Sequence, residues 1–204
     1  MLARKEKNTK NKVDVRIKEL VVNPDKSKGK SFIILESRKF SGFNKAVIKG
    51  FSQVATTGIM RRVNSKLQKI FGGHAFGAYS SFGAEEIIEI ELSMDQRDKA
   101  RDLFADVMER LVDKRAMENL TIRGVWVGDL IYDSYLNRYS KPTIIFKDQE
   151  FQDFLLESLE YFIFWEDYFK NHDIRAVNVS HAAYNFSMPY RLALENNVPA
   201  YQVT

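Results

Sequence analysis

Apolar positions in this chain fall into short unbroken runs and into helical rhythms, and the two alternate. Ser31 to Glu36 (Ser-Phe-Ile-Ile-Leu-Glu) is a short apolar run with a basic flank, the pattern of a fully buried parallel strand. Ser37 to Gly42 forms a connection, and Phe43, Ala46, Val47, Phe51 and Val54 then keep helical spacing. A βα unit is expected there, with Ser41-Gly42 opening the helix. Thr57-Gly58 is expected to break that helix, and a basic amphipathic segment continues from Ile59 to Ile70. Glu85 to Leu92 has the pattern of an exposed or edge strand. Ser93 with Gln96 then forms a capping box ahead of a strong helix. Ala100, Leu103, Phe104, Val107, Met108 and Leu111 place one buried face on that helix.

The second half repeats the alternation. Val125, Trp126 and Val127 form a short apolar run that predicts a buried strand, Gly128 a turn, and Asp129 the N-cap of a new helix. Lys141-Pro142 stops that helix, and Asp148 can cap the next. That next helix carries Phe151, Phe154, Leu155, Leu159, Phe162 and Ile163 on one face. Tyr161, Phe164, Trp165 and Tyr168 cover much of the rest. A helix apolar nearly all round is either buried on several sides or awaiting a partner. Ile174 to Ser180 predicts a strand with His181 at its end, Pro189 starts a helix that Asn196-Asn197 ends, and Val198 to Val203 predicts a further strand. Strand, helix and strand in this order make a crossover, whose right-handed form gives parallel pairing. The expected class is α/β, a Rossmann-like and mostly parallel sheet flanked by helices. The sequence stops at a strand end, where a doubly wound sheet normally feeds another helix. One lobe of a larger protein is therefore expected over residues 31–204.

Charge changes this picture at one place. The net charge of +4 is uneven: residues 1–30 hold ten Lys or Arg against four Asp or Glu, leaving 21 basic and 23 acidic residues elsewhere. Basicity belongs to a head at 1–30, expected to be mobile, and not to the lobe. Such a head suits contact with an anionic inner-membrane surface. Nucleic acid is not expected as a partner, because no aromatic residue is interleaved with the charges for base stacking. There is no cysteine, which removes disulfides and thiolate metal sites and fits a cytoplasmic setting. No apolar run approaches the ~18 residues of a membrane-spanning helix.

The candidate chemistry gathers at two strand ends. Asp129 and Asp133 follow the first strand, and Ser180-His181 with Tyr184 follow the second. In open α/β sheets, ligands bind outside the carboxyl ends of strands. If both strands share one sheet, Asp129 or His181 there can act as general base toward a hydroxyl. Structural roles compete: Asp129 as a helix cap, His181 as a strand-end cap, and Asp133 paired with Arg138. Arg191 has the planar fork that suits phosphate or carboxylate. Phe71 to Gly83 is a glycine-rich aromatic loop, either a flexible connection or a substrate-facing loop. It lacks the Gly-Lys-Ser/Thr ending of a phosphate loop. His74 and His172 have no metal-ligand spacing, so no metal site is expected. A Gly-x-Ser-x-Gly elbow and a Gly-x-Gly-x-x-Gly turn after the first strand are both missing, which leaves an esterase and a dinucleotide enzyme unsupported.

The run Gly128-Asp-Leu-Ile-Tyr-Asp-Ser-Tyr-Leu136 followed by Arg138, with Val179-Ser-His181, Tyr184, Arg191-Leu-Ala193 and Val198-Pro-Ala-Tyr201, resembles the N-terminal half of bacterial capsule or O-antigen polysaccharide glycosyltransferases. The likeness covers roughly residues 120–204 and is only a shared βα character over 31–119. It implies a two-lobed GT-B arrangement. The N-terminal Rossmann-like lobe holds the acceptor saccharide, and a second lobe, not in this sequence, holds the nucleotide sugar donor. No separate cofactor is implied. On this reading Asp129 or His181 takes the acceptor proton. Asp133, Tyr184 and Arg191 orient the acceptor, Arg138, Gly42 and His74 join the binding surface, and the Gly72–Gly83 loop closes over it. Two other classes stay open: a non-catalytic lobe that pairs with another chain, and another sugar-nucleotide enzyme such as an epimerase or phosphotransferase.

Overall fold

The computed structural model describes residues 18–25, 30–36, 56–61, 90–179 and 184–202. Three strands come first: β1 (Lys18–Asp25), β2 (Lys30–Glu36) and β3 (Thr56–Arg61). Helices α1 (Met94–Arg110) and α2 (Lys114–Glu118) follow, then a hairpin of β4 (Thr121–Ile122) and β5 (Val125–Trp126). Helices α3 (Gly128–Tyr139) and α4 (Gln149–Asn171) lead to β6 (Ile174–Val179). A 3₁₀ turn (Asn185–Ser187), α5 (Met188–Glu195) and β7 (Ala200–Gln202) complete the described chain.

The main sheet has the order β3-β1-β2-β6-β7. On one side of β2 the strands run parallel: Ile33 lies beside Val177, and Val177 beside Ala200. On the other side they run antiparallel: Val21 opposes Ile33, and Leu20 opposes Ile59. The parallel half coincides with the three runs read as strands from the sequence. The antiparallel half was not anticipated. β1 lies within the basic stretch 1–30, where Leu20, Val21 and Val22 are an apolar island among charges. Thr57 and Gly58, expected as a helix break, sit inside β3 and pair with Val22 and Val21. Two threonines and an isoleucine in this six-residue segment favour the extended backbone.

The apolar helix expected near residue 150 is α4, and its excess of aromatics is resolved by burial. Phe151, Phe154, Leu155, Leu159, Phe162, Ile163 and Trp165 are almost wholly enclosed. Helices α1, α3 and α5 all pack on α4, so these side chains belong to the core of this chain. Asp148 occupies the N-cap of α4 as expected, although its side chain makes no capping hydrogen bond. The Ser93–Gln96 capping box of α1 is complete in both directions. Ser140 ends α3 in the left-handed conformation, one residue before Lys141-Pro142. Among the described residues no helix is long and apolar enough to cross a membrane.

The run Val125–Val127 departs from its expected role. Only Val125 and Trp126 are extended, and they pair with Ile122 and Thr121 in a separate hairpin, not with the main sheet. The cause is Arg123-Gly124. Both have positive φ (48° and 89°), which is what a two-residue hairpin turn requires. Trp126 is 47% exposed, so the run was not a buried strand. Asp129 and the end of β6 therefore do not share one sheet edge.

Candidate functional site

The first turn of α3 is built around Gly128. A Cβ at this position would lie 2.0 Å from the Met117 carbonyl oxygen and 2.7 Å from the Leu120 nitrogen, so only glycine lets α3 start against the end of α2. The N-cap is Val127, which has no capping side chain, and the expected capping role of Asp129 is overturned. Asp129 sits in the first turn, where a carboxylate also suits the helix dipole. Its side chain reaches α5 instead. Arg191 Nη2 donates to Asp129 Oδ2 at 2.7 Å, and Arg191 Nη1 donates to the Trp126 carbonyl at 3.4 Å. The guanidinium also lies 4.6 Å from the Trp126 ring centroid. Asp129 Oδ1 is buried and meets no hydrogen-bond partner among the described residues. Asp129 and Arg191, proposed separately from the sequence, thus meet as one interhelical contact.

Arg138 lies nine residues further along α3, roughly 13 Å along the axis from Asp129. It does not pair with Asp133, which is exposed on the opposite face. Arg138 Nη1 donates to Glu157 Oε2 on α4 at 2.8 Å, and its guanidinium lies over Phe154 at 5.4 Å. From α1, Arg97 Nη1 donates to Glu160 Oε1 at 3.4 Å. Glu157 and Glu160 are one helical turn apart, so α4 presents two carboxylates, each met by an arginine from a different helix.

These groups line a cavity of about 70 Å³ together with Ser158, Tyr161, Phe154 and Asn185. Asn185 reaches it from the 3₁₀ turn ahead of α5. Its backbone N–H donates to Ser134 Oγ at 2.6 Å, and its Nδ2 donates to Ser158 Oγ at 2.5 Å. Ser158 Oγ donates in turn to the Phe154 carbonyl at 2.8 Å. The preceding Tyr184 has φ 67° and ψ 169°, a region that only glycine occupies readily. Asn137 Nδ2 donates to the Tyr184 hydroxyl at 3.4 Å. Strained backbone beside a polar cavity is a recurrent mark of ligand sites.

Phe154 belongs to an aromatic group with Tyr135 and Tyr139, at centroid distances of 5.6 and 5.9 Å. Burial pushes the Tyr135 hydroxyl up to about 12, helped by the nearby Glu150 carboxylate, which accepts its hydrogen bond at 3.3 Å. Burial raises Tyr139 as well. Both rings stay neutral at any physiological pH.

A second, wider groove of about 440 Å³ runs between α1 and the β4–β5 hairpin. Most of its charges are already paired: Lys99 with Asp95 and Arg110 with Asp106 in open solvent, and Arg123 with the largely buried Glu166. Such a surface has little to offer a ligand. Among the described residues no group of three or more His, Asp or Glu is placed to hold a metal ion.

The structure thus joins Asp129 to Arg191 and places Arg138 and Tyr184 near one cavity, while Asp133 stands apart. Gly42, His74 and His181 lie outside the described residues. Sequence reading missed Arg97, Glu157, Ser158, Glu160 and Asn185. A weak signal existed for the glutamates: two carboxylates three residues apart fall in the most apolar stretch of that helix, between Phe154 and Trp165. Asn185 carried no signal beyond its position after a strand. Comparison with known protein families, with characterised proteins and with solved structures finds no match.

Proposed function

We propose that the chain is the acceptor-binding, Rossmann-like lobe of a glycosyltransferase that builds a surface polysaccharide. The observation that carries the reading is the cavity lined by α1, α3, α4 and Asn185. It combines two arginine–carboxylate pairs, a serine–asparagine network and an aromatic wall. Carboxylates and guanidinium groups bind the hydroxyls of a saccharide, while Phe154 and Tyr161 offer apolar surface to its C–H faces.

In the proposed reaction an acceptor hydroxyl oxygen bonds to the anomeric carbon of a nucleotide sugar. The bond from that carbon to the phosphate oxygen breaks, the nucleoside diphosphate leaves from a second lobe, and a base takes the hydroxyl proton. His181, two residues past β6 in the sequence, is the stronger candidate for that base. Asp129 is the weaker one, because Arg191 already holds its carboxylate. Residues 1–17, the part of the basic head that precedes β1, would hold the lobe at an anionic inner-membrane surface.

One observation favours a second reading, a lobe that binds saccharide without chemistry: Asp129, Glu157 and Glu160 are all engaged by arginines. The two readings separate in one experiment. The full chain, alone and supplemented with the lysate of a polysaccharide-producing bacterium, is incubated with nucleotide sugars and a neutral oligosaccharide, and products are read by mass spectrometry. A lengthened oligosaccharide that disappears with His181→Ala supports transfer. Saturation-transfer signals from the oligosaccharide without product support the binding lobe. Neither signal removes both readings.

A further inference from the structure

The chain of hydrogen bonds that ends at Asn185 has one valence left over. Ser158 spends its only hydroxyl proton on the Phe154 carbonyl, so toward Asn185 its oxygen can only accept. That requirement fixes the orientation of the amide: Nδ2 must face Ser158, and Oδ1 must face away from it. The backbone N–H of Asn185 is held by Ser134, which pins the residue to α3 as well as α4. Asn185 is 93% buried, being 7% exposed, and its Oδ1 meets no donor among the described residues. A buried amide oxygen left in this state is costly, and natural proteins retain such groups where a ligand or water completes them. Here the residue lines the cavity and directly follows the strained Tyr184.

We propose that Asn185 is a specificity-determining residue whose Oδ1 accepts a hydrogen bond from one hydroxyl of a saccharide seated in the cavity between Arg138 and Arg97. The inference rests on the saccharide reading given above and adds the group that selects among sugars. Sites that hydrogen-bond a substrate hydroxyl reject the analogue that lacks it, because the partner atom is then left unpaired. Ser158 and Ser134 act as positioning residues, since they set which face of the amide the ligand meets.

The test uses the full chain and a series of neutral methyl hexopyranosides with their monodeoxy counterparts, read by saturation-transfer NMR. At least one hexoside is expected to bind, and one deoxy position is expected to weaken it roughly tenfold. Asn185→Leu should weaken the parent hexoside by a similar factor and abolish the discrimination against that deoxy sugar. Ser158→Ala, which removes one hydroxyl and leaves the rest of the packing, should relax the same discrimination because the amide is then free to turn over. Thermal melts confirm that each variant is folded, and Ser158→Ala carries the test if Asn185→Leu is not. Hexoside binding with unchanged discrimination in the folded variants overturns the role of Asn185 alone. No binding of any hexoside by the natural chain overturns the saccharide reading, and the inference with it.

Discussion

Arg191 and Asp129 stand 62 residues apart in sequence and 2.7 Å apart in space, and their contact joins the first turn of α3 to α5. The side chains are 19% and 28% exposed, so the pair is neither a screened surface bridge nor a dry one. Trp126 adds its ring beneath the guanidinium and its carbonyl to the second nitrogen. Arg191→Ala should therefore cost about 2 kcal/mol, between the values for exposed and fully buried pairs. Asp129→Asn keeps an acceptor for Arg191 and should cost about half of that. Urea denaturation of the three proteins measures both, and a loss below ~0.5 kcal/mol for Arg191→Ala would show that solvent already screens the contact.

Gly128→Ala tests a different kind of constraint. The added methyl meets backbone atoms of Met117, Glu118 and Leu120, none of which can rotate away. A loss of about 3 kcal/mol or more is expected, or failure to accumulate folded protein. Gly124→Ala, by comparison, meets the flexible Glu195 carboxylate but must adopt φ 89°, so its cost should be smaller and mainly conformational. Equal melting temperatures for Gly128→Ala and the natural chain would mean that α2 and α3 are not packed as described.

Tyr135 makes a pH prediction with a definite sign. Its hydroxyl ionises near 10.0 in an unfolded chain and at about 12 in the folded one. Between those values the folded state keeps a proton that the unfolded state has lost, so stability falls as pH rises through that window. The slope approaches about 1.4 kcal/mol per pH unit from this group alone. Tyr135→Phe should flatten that decline, and denaturation series at pH 9, 10 and 11 would reveal it. Parallel curves for the two proteins would place the Tyr135 hydroxyl in contact with solvent.

Glu157→Gln removes the charge that faces Arg138 while keeping the shape of the side chain. Hydrogen bonds to charged groups are the stronger ones, so hexoside binding should weaken by roughly tenfold. The stability cost should stay near 1 kcal/mol because Glu157 is 31% exposed. Binding isotherms and melts on the same samples separate the two effects. A fall in melting temperature with unchanged binding would confine Glu157 to a structural role.

What could be read from the sequence follows from how local each signal is. The capping box at Ser93 and Gln96, the aromatic density of α4 and the apolar runs of β2 and β6 are all encoded within a few residues, and each was legible. Trp126 misled because an exposed tryptophan covered by a distant arginine has the same local pattern as a buried strand. Asp129 misled in the same way: an aspartate at a helix start is usually a cap, and only the position of α5 turns it elsewhere. The partner of Arg138 was sought within its own helix and lies on α4. The cavity was hidden for the same reason. Its residues come from α1, α3, α4 and the 3₁₀ turn ahead of α5, and no spacing rule links them.

The β4–β5 hairpin has two residues in each strand and no core of its own, so its shape is borrowed from what it touches. Arg123 at its tip is tied to Glu166 on α4, a carboxylate that also holds Lys170. At its base, the Trp126 indole N–H donates to the Glu118 carbonyl at the end of α2, and the ring carries Arg191 of α5. The hairpin is thereby a tie-rod between three helices. Loss of this one short hairpin would therefore loosen α2, α4 and α5 together, because each of them gives up a contact to it.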